Sequence, residues 1–267
     1  MPRKEVNGAK IHYDVSGEGI ETIVFAHGLL WNRHVFDEQI ASLKGSYRCV
    51  TFDFRGHGQS EATESGYDID ALTDDIRALI VSLGCTPCHF VGHSMGGFIG
   101  MRLAIRHPEH IKSLILIGTT ADPEPMENLG PYKRLNFIAR WFGLRLIAPK
   151  VMAIMFGQKF LLDPDRTQLK EKWRQYLIAN NRISISRAVN GVISRQGVYG
   201  LLDQISAPTL ILVGDFDTAT VPAKSERMQQ RIKGSHLILI PGAGHTATVE
   251  EPVHVNTALL AFLEKLK

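Results

Sequence analysis

Short apolar runs alternate with helix-like segments along most of this chain, and this alternation limits the fold more than any other feature. The runs are rich in Val, Ile, Leu and Phe: "TIVFAHG" (22–28), "YRCVTFDF" (47–54), "HFVGHS" (89–94), "IKSLILIGT" (111–119), "PTLILVGD" (208–215) and "HLILIPG" (236–242). Nearly continuous apolar runs are typical of strands buried on both faces of a parallel sheet. The stretch "AKIHYDVSG" (9–17) alternates more and predicts an edge strand.

Helical periodicity fills most of the gaps between these runs. In "DIDALTDDIRALIVSLG" (68–84) the apolar side chains form one stripe that ends at a glycine: Ile69, Leu72, Ile76, Leu79, Ile80, Leu83 and then Gly84. Further helices are predicted in "MGGFIGMRLAIRHPEH" (95–110), "PAKSERMQQRIKG" (222–234) and "PVHVNTALLAFLEKL" (252–266). Repeated strand and helix units predict an α/β fold with a doubly wound, mostly parallel sheet and helices on both faces.

One region, 121–200, departs from the alternation. It contains helical runs such as "NFIARWFGLRLIAPKVMAIMF" but no convincing strand, and prolines mark its entry. Ligands bind at the carboxyl edge of open α/β sheets, so we interpret 121–200 as a helical cap over a site at that edge. The predicted core is then 1–120 together with 201–267.

Composition excludes several classes of function. The 267 residues carry a formal charge of only +3, which gives no nucleic-acid footprint. The first ten residues lack an apolar signal core and no run of apolar residues is long enough to span a membrane, so we expect a cytoplasmic protein without integral membrane association. Cys85 and Cys88 form a C-x-x-C pair without a second ligand pair or a helix start, which favours two reduced packing thiols.

The stretch "FVGHSMGGFIG" (90–100) surrounds one serine with four glycines. A phosphate-binding G-x-G-x-x-G loop would need glycine where Ser94 stands, and no P-loop lysine follows. A G-x-S-x-G elbow fits instead, because a buried-looking strand precedes the serine and a helix follows it. Gly92 and Gly96 lie where a Cβ would collide with the turning backbone. We therefore predict Ser94 to be a nucleophile.

A nucleophilic serine needs a base, and His245 is the best candidate. It lies in "IPGAGHTATVEEP", directly after the last strand and at the same sheet edge as Ser94. His93 is adjacent to the serine in sequence and points away from it, and His57, in "DFRGHGQS", is expected to be a structural hydrogen-bonding residue. The elbow also requires the chain order serine, acid, histidine.

The acid must lie between Ser94 and His245 and follow another strand. "LVGDFDTATVP" offers Asp215 and Asp217, and we favour Asp217 because it lies further into the loop. Asp122 is an outside candidate. Asp217 as a simple cap of the helix near Pro222 stays open.

Acyl transfer also needs two amide donors for the oxyanion. We assign them to the backbone N–H of Met95, which follows the nucleophile, and of Leu29, in the loop after "TIVFA". On this interpretation His27 braces the loop and Gly28 lets its backbone turn.

The motifs "AHGLLW", "DFRGHGQS", "GHSMGG", "VGDFDTATVP" and "PGAGH" resemble, in this order, the α/β-hydrolase superfamily. Within it the chain resembles the branch of small carboxylesterases, 3-oxoadipate enol-lactonases and cofactor-free haloperoxidases. The resemblance implies the α/β-hydrolase fold with its cap inserted after the sixth strand, a Ser94–Asp217–His245 triad, an acyl-enzyme, and no cofactor or metal. Dehalogenases and epoxide hydrolases use an aspartate nucleophile, which Ser94 argues against.

The sequence therefore predicts a hydrolase that cleaves a small-molecule carboxylic ester or lactone. Two alternatives remain. One is a cofactor-free haloperoxidase or perhydrolase, although that group often has Trp where Leu29 stands. The other is a small-molecule receptor that retains the triad. The sequence leaves self-association into a homo-oligomer open.

A run of six cations without an acidic residue lies between 128 and 162: Lys133, Arg134, Arg140, Arg145, Lys150 and Lys159. One interpretation is a solvated helix face with the apolar residues packed on the core, namely Trp141, Phe142, Ile147, Met152 and Met155. A membrane-surface role is less favoured because Gly143 and Pro149 interrupt any long amphipathic helix. The sharper hypothesis is that Arg134 or Arg140 pairs with a substrate carboxylate. The candidate substrate contacts are Trp31, Arg134, Arg140 and Trp141.

Overall fold

The computed structural model describes residues 2–267, and its eight strands form one sheet. The strands are β1 (Arg3–Val6), β2 (Ala9–Ser16), β3 (Thr22–Ala26), β4 (Arg48–Phe52), β5 (Cys88–His93), β6 (Ile111–Ile117), β7 (Thr209–Gly214) and β8 (His236–Ile240). Their order across the sheet is β1-β2-β4-β3-β5-β6-β7-β8. β1 and β2 pair antiparallel, as do β2 and β4, and every other pair is parallel. The predicted mostly parallel sheet is confirmed.

The central strands β3, β5 and β7 are buried along their whole length. Within β3, Ile23 and Phe25 belong to the hydrophobic cluster on one side of the sheet, and Val24 and Ala26 belong to the cluster on the other side. Helices on both faces complete these two clusters, so the sheet is doubly wound.

Both edges of the sheet differ from the sequence-based expectation. The predicted edge strand, β2, lies one place in from the edge, because Asn7 at a φ of 47° and Gly8 at a φ of 74° turn the chain back and let β1 pair with it. At the other edge, the apolar β8 has only β7 as a neighbour, and Ile238 and Leu239 are 40% and 49% exposed. The apolar run of β8 was therefore wrongly interpreted as buried on both faces.

The described residues contain eleven α-helices: α1 (Asp37–Leu43), α2 (Ile69–Ser82), α3 (Met95–Arg106), α4 (Met126–Phe142), α5 (Leu144–Met155), α6 (Gln158–Leu162), α7 (Thr167–Ala179), α8 (Arg182–Ile193), α9 (Pro222–Arg231), α10 (Ala247–Glu250) and α11 (Pro252–Glu264). The predicted helices at α2, α3, α9 and α11 are confirmed. α2 shows why: Asp68 caps its first turn by accepting from the Ala71 N–H at 2.8 Å, and Gly84 follows its end at a φ of 61°.

Helices α4 to α8 lie between β6 and β7, in the segment without strand character. α4 packs against α5 and α8, and α5 packs against α7. We propose that they form a cap, 121–200, over a core of 1–120 and 201–267. Ile147, Met152 and Met155 are buried as expected. Trp141 and Phe142 are 60% and 66% exposed rather than packed on the core, because the face that α4 buries carries Asn136 and Ala139 instead.

Two further observations bear on the sequence analysis. No helix within residues 2–267 has both the length and the apolar character needed to cross a membrane. Cys85 and Cys88 are buried free thiols, and burial raises the pKa of both.

Candidate active site

The backbone turns tightly at Ser94, between the end of β5 and the start of α3. Ser94 has a φ of 51° and a ψ of −111°, a left-handed conformation that a non-glycine residue rarely adopts. A Cβ on Gly96 would lie 2.0 Å from the carbonyl oxygen of Ala26, and one on Gly92 would lie 2.4 Å from the carbonyl oxygen of Gly96. Only glycine fits at these two positions, and the tight turn holds the serine at the carboxyl edge of the sheet.

Neighbouring strands hold this turn from both sides. The Ser94 N–H donates to the Ile117 carbonyl at 2.9 Å, and the Thr119 hydroxyl donates to the Ser94 carbonyl at 2.8 Å. On the other side, the Gly96 N–H donates to the His27 carbonyl at 3.1 Å. The elbow is thus fixed by the ends of β3 and β6.

His245 and Asp217 meet at the same edge, in the loops after β8 and β7. His245 Nδ1 donates to Asp217 Oδ2 at 2.9 Å, and both side chains are buried. The carboxylate is held in turn, because Oδ1 accepts the N–H groups of Ala219 and Thr220 and Oδ2 accepts the Thr220 hydroxyl at 2.8 Å. With Nδ1 occupied, Nε2 is the nitrogen left to exchange a proton.

The two groups shift each other's pKa in opposite directions. Burial raises the pKa of Asp217, but the charge and hydrogen bond of His245 and the donors of Thr220 outweigh it, and the pKa lies below its usual value. Burial lowers the pKa of His245, but the Asp217 carboxylate outweighs it, and the pKa lies above its usual value. The pair therefore favours an imidazolium next to a carboxylate, the state that a general base reaches after taking a proton.

The other candidate acids have different partners. Asp215 accepts the Gly242 N–H at 2.8 Å, and Asp122 pairs with Arg227 at 3.0 Å. Among residues 2–267, neither carboxylate lies within hydrogen-bonding distance of His245.

The other candidate histidines have structural contacts. His93 Nε2 donates to the carbonyl oxygen of His245 at 2.9 Å, and His57 Nδ1 donates to the Arg55 carbonyl at 3.2 Å. Burial lowers the pKa of each ring to about 3. His93 thus braces the loop that carries His245.

The two predicted oxyanion donors lie beside the serine. Leu29, Met95, Ser94 and His245 line the same pocket. Neither the Leu29 nor the Met95 amide donates a hydrogen bond to another group in the described part of the chain. Leu30 has a φ of 72°, so the backbone after Leu29 is also in an unusual conformation.

His27 and Gly28 support this loop. His27 Nδ1 donates to the Gly28 carbonyl at 2.7 Å, and its Nε2 accepts the Phe54 N–H at 3.0 Å. Burial lowers the pKa of the ring to about 3. A Cβ on Gly28 would lie 2.8 Å from Nδ1 of His93, so the loop lies close to the elbow only because this residue is glycine.

The pocket has a volume of about 140 Å³ and runs from Ser94 and His245 into the helices α4, α5 and α8. Most of its wall is aliphatic, with contributions from Leu135, Leu144, Ile147, Val151, Ile185 and Val189. Glu124 and Arg195 also line it, and they pair with each other at 2.9 Å. The charges of Glu124 and Arg195 thus largely cancel each other. Lys224 is the remaining lysine or arginine in the pocket wall.

Comparison with known proteins identifies the fold family. The sequence profile described as "alpha/beta hydrolase fold" matches residues 21–252. The chain belongs to the α/β-hydrolase fold family. An esterase from Thermogutta terrifontis superimposes with a TM-score of 0.92 at 27% identity, covering 100% of this chain and 99% of that one.

Two enol-lactonases are also similar to this α/β-hydrolase. The structure of the enzyme from Burkholderia xenovorans has a TM-score of 0.92 at 26% identity, covering 98% of this chain and 100% of that one. The sequence of 3-oxoadipate enol-lactonase 2 from Acinetobacter baylyi is 28% identical over 243 residues, 91% of this chain and 88% of that protein. The predicted resemblance to the esterase and enol-lactonase branch is confirmed.

The structure does not bring the four predicted substrate contacts to the pocket wall of this α/β-hydrolase. Trp31 is fully buried, packs on Trp173 at 5.1 Å between ring centroids, and donates its indole N–H to the Thr246 hydroxyl at 3.3 Å. Arg134 is exposed, and Arg140 lies over the ring of the exposed Trp141 at 5.8 Å. The helix α4 presents these residues outward because its Leu135, Asn136 and Ala139 face the pocket.

The cations that do line the pocket, Arg195 and Lys224, were missed by the sequence analysis. Arg195 follows the apolar pocket residues Val189 and Val192 of α8. Lys224 lies in the first turn of α9, a few residues after Asp217. The short distance in sequence from Asp217 is a signal that could have identified Lys224, whereas no predicted site residue stands near Arg195 in the sequence.

Glu250 is a further residue that sequence reasoning missed. It is fully buried; Oε2 accepts the N–H groups of Gly157 at 2.8 Å and Gly244 at 3.0 Å, and Oε1 accepts the Thr246 N–H at 3.1 Å. Burial raises the pKa of Glu250 to about 7, against the lowering effect of these three donors. One carboxyl group thus ties both neighbours of His245 to Gly157, the residue before α6.

A group of possible metal ligands lies elsewhere. His107, Glu109 and His110 place ligand atoms within 4.8 Å of one another after the end of α3. Because α3 begins directly after Ser94 and runs away from it, this group lies at the opposite edge of the sheet, and none of its three residues lines the pocket.

Proposed function

We propose that this chain hydrolyses carboxylic esters or lactones with a largely apolar acyl group, through Ser94, His245 and Asp217 and an acyl-enzyme. The observation that carries the proposal is the buried hydrogen bond between His245 Nδ1 and Asp217 Oδ2, 2.9 Å long, in a pocket that the strained Ser94 also lines. A serine elbow and an oriented imidazole are what nucleophilic acyl transfer requires.

In the first half-reaction Ser94 Oγ attacks the carbonyl carbon while His245 Nε2 takes the hydroxyl proton. Asp217 holds the ring in the tautomer that leaves Nε2 free and stabilises the imidazolium that forms. The tetrahedral intermediate then collapses. The bond from carbon to the leaving oxygen breaks, and His245 returns the proton to that oxygen, which leaves the acyl group on Ser94.

In the second half-reaction water takes the place of the alcohol. His245 removes a proton from water, the hydroxide adds to the acyl carbon, and the carbon–Oγ bond breaks as Ser94 recovers its proton. In both halves the negative oxygen accepts from the Leu29 and Met95 amides, which have no competing acceptor in residues 2–267. Loss of one such donor typically lowers the rate by about 10² to 10³.

The pocket wall supports the substrate class. Apolar parts of a ligand bind in pockets of this kind because binding removes their surface from water. The few polar side chains of such a pocket orient the ligand. The Glu124–Arg195 pair adds little net charge. With its carbonyl carbon at Ser94, a substrate would therefore place its aliphatic acyl chain between α4, α5 and α8.

A fluorophosphonate tests the nucleophile. We expect intact-mass measurement to find one label per chain, on Ser94, and Ser94→Ala to abolish both labelling and hydrolysis while circular dichroism stays unchanged. Ser82→Ala, on the exposed end of α2, is the matched control and should label as the original chain does. A label on any other serine would overturn the assignment.

A panel of p-nitrophenyl esters and lactones tests the reaction. We expect many turnovers on at least one aliphatic ester or lactone, with a burst of released p-nitrophenol when deacylation is slower than acylation. A single turnover across the panel would instead identify a receptor that retains the triad.

A further inference from the structure

An exposed apolar corner stands at the junction of α4 and α5. We call it the aromatic corner, and its side chains are exposed by 59% to 66%: Phe137, Trp141, Phe142 and Leu146. Gly143, with a φ of 99°, ends α4 and lets α5 begin at the next residue, so the chain turns within the corner itself. Side chains this exposed project from the surface and do not line a groove.

The corner is an ordered cluster. Phe137 and Trp141 are four residues apart on one face of α4, and the centroid of the Phe137 ring lies 6.4 Å from that of Trp141 and 6.4 Å from that of Phe142. Arg182 of α8 donates to the Trp141 carbonyl at 3.2 Å, which ties the corner to the next helix. Contiguous exposed apolar groups are unfavourable in water and commonly mark an interaction site.

Exposed or half-buried cations flank the corner along α4 and α5, and we call them the basic rim: Lys133, Arg134, Arg140, Arg145 and Lys150. Of the six cations between 128 and 162, only Lys159, outside the rim, forms an ion pair with another group of the described chain, Glu251. The same segment contains no Asp or Glu. The rim therefore keeps its positive charge for an external partner.

The opposite sides of the same two helices line the pocket. Leu135 and Ala139 of α4 and Ile147 and Val151 of α5 face the cavity that contains Ser94. A surface bound at the aromatic corner would thus contact the outer side of the two helices, α4 and α5, that line the pocket.

We propose that the aromatic corner and the basic rim dock this protein on a lipid surface that carries anionic headgroups. Trp and Phe side chains favour the interfacial zone of a bilayer, and nearby Lys and Arg side chains are attracted to anionic lipids. From the sequence alone a membrane-surface role is disfavoured, because Gly143 and Pro149 interrupt a long amphipathic helix. A projecting corner between two short helices needs no such helix, since its rings enter the interface at one point.

The charge pattern favours this occupant over a second copy of the chain. A two-fold contact through the corner would bring two basic rims together, which is unfavourable. A fluid interface also accommodates projecting rings without a preformed cavity, whereas a folded partner needs one of matching shape.

Intrinsic fluorescence gives a direct test, because Trp31 and Trp173 are buried and Trp141 is the exposed tryptophan of the three. With vesicles of phosphatidylcholine and phosphatidylglycerol, we expect a blue shift, quenching by lipids brominated on the acyl chain, and co-sedimentation. Vesicles of phosphatidylcholine alone should bind about tenfold more weakly. Binding should weaken strongly near 1 M salt, where the Debye length is about 3 Å.

Variants separate the corner from the rest of the protein. Phe137→Ala with Phe142→Ala, and separately Arg134→Glu with Arg145→Glu, should each weaken binding to the anionic vesicles by about tenfold or more. Val253→Ala, at an equally exposed site on α11, and Lys10→Glu on β2 are controls that should bind as the original chain does. Ser94→Ala should also bind fully, so failure of docking is distinguishable from failure of the proposed hydrolysis.

Three results would overturn the proposal. One is the absence of binding to the anionic vesicles. The second is binding that the corner and rim variants leave unchanged. The third is a stable dimer in light scattering that Phe137→Ala with Phe142→Ala dissociates, since a second copy would then cover the corner.

Discussion

Two aspartates stand one residue apart after β7, and only one of them reaches the imidazole. Asp217 bonds His245, whereas Asp215 caps the Gly242 amide of the next turn. We expect Asp217→Asn to lower kcat by about 10⁴, because the amide favours the wrong tautomer of His245. Asp215→Asn should lower kcat far less, and steady-state kinetics on one ester decides. The reverse ranking would show that the acid is Asp215.

The pH dependence follows from the raised pKa of His245. A protonated imidazole cannot take the serine proton, so kcat/KM should fall as pH decreases through the pKa of the free protein. Because the Asp217 carboxylate raises that pKa, we expect the midpoint to lie above the ordinary value of 6.5. Asp217→Asn should move the midpoint of its residual activity to lower pH. An unchanged midpoint in this variant would mean that another group titrates.

At the scale of elements, Glu250 of α10 joins the loop after β8 to the start of α6. Glu250→Gln would place an amide where the carboxylate accepts from Gly157, Gly244 and Thr246, so at least one buried N–H loses its acceptor. We expect about 1–3 kcal/mol less stability in urea unfolding. We also expect a fall in kcat of about 10- to 100-fold with little change in KM, because the His245 loop is no longer held in place.

The neighbouring Glu251 is the matched control. It pairs with Lys159 at 2.7 Å and, at longer range, with Arg166 at 3.6 Å and His254 at 3.7 Å. None of these contacts holds the loop of His245, so Glu251→Gln should cost about 1 kcal/mol and leave kcat nearly unchanged. Equal losses of kcat in both variants would mean that Glu250 only stabilises the fold.

Some elements of the structure are predictable from the sequence and others are not. The turn at Ser94 was predictable because its signal is local: a G-x-S-x-G pattern stands between a strand-like and a helix-like run, and a Cβ on Gly92 would clash with the carbonyl oxygen of the nearby Gly96. The outward position of Trp141 was not, because the face that α4 buries depends on its contacts with α5 and α8. The edge position of β8 was not predictable from the sequence either, since an apolar strand has the same sequence pattern at the edge of a sheet as in its centre.

At the scale of the whole molecule, the candidate site is assembled from parts distant in sequence. Ser94, Asp217 and His245 come from three strand ends of the core, and the pocket wall comes from α4, α5 and α8. Chain order and strand ends were sufficient to nominate the three residues, because parallel strands share one carboxyl edge. The wall was not predictable, since it depends on how the helices after β6 fold back over that edge.

The pocket wall contains Arg195 and Lys224, whereas the sequence predicted Arg134 or Arg140 as the cation that would select for a charged substrate. Arg195 is paired with Glu124, while Lys224 lines the pocket and has no ion-pair partner among residues 2–267. For matched esters with and without a terminal carboxylate, we expect Lys224→Met to lower the ratio of their kcat/KM values by about fivefold, the effect of one partly exposed ion pair. Arg134→Ala and Arg140→Ala, outside the pocket, are the controls and should leave the ratio unchanged. A ratio that responds to Arg134 and not to Lys224 would mean that the cap closes further over the substrate than in this structure.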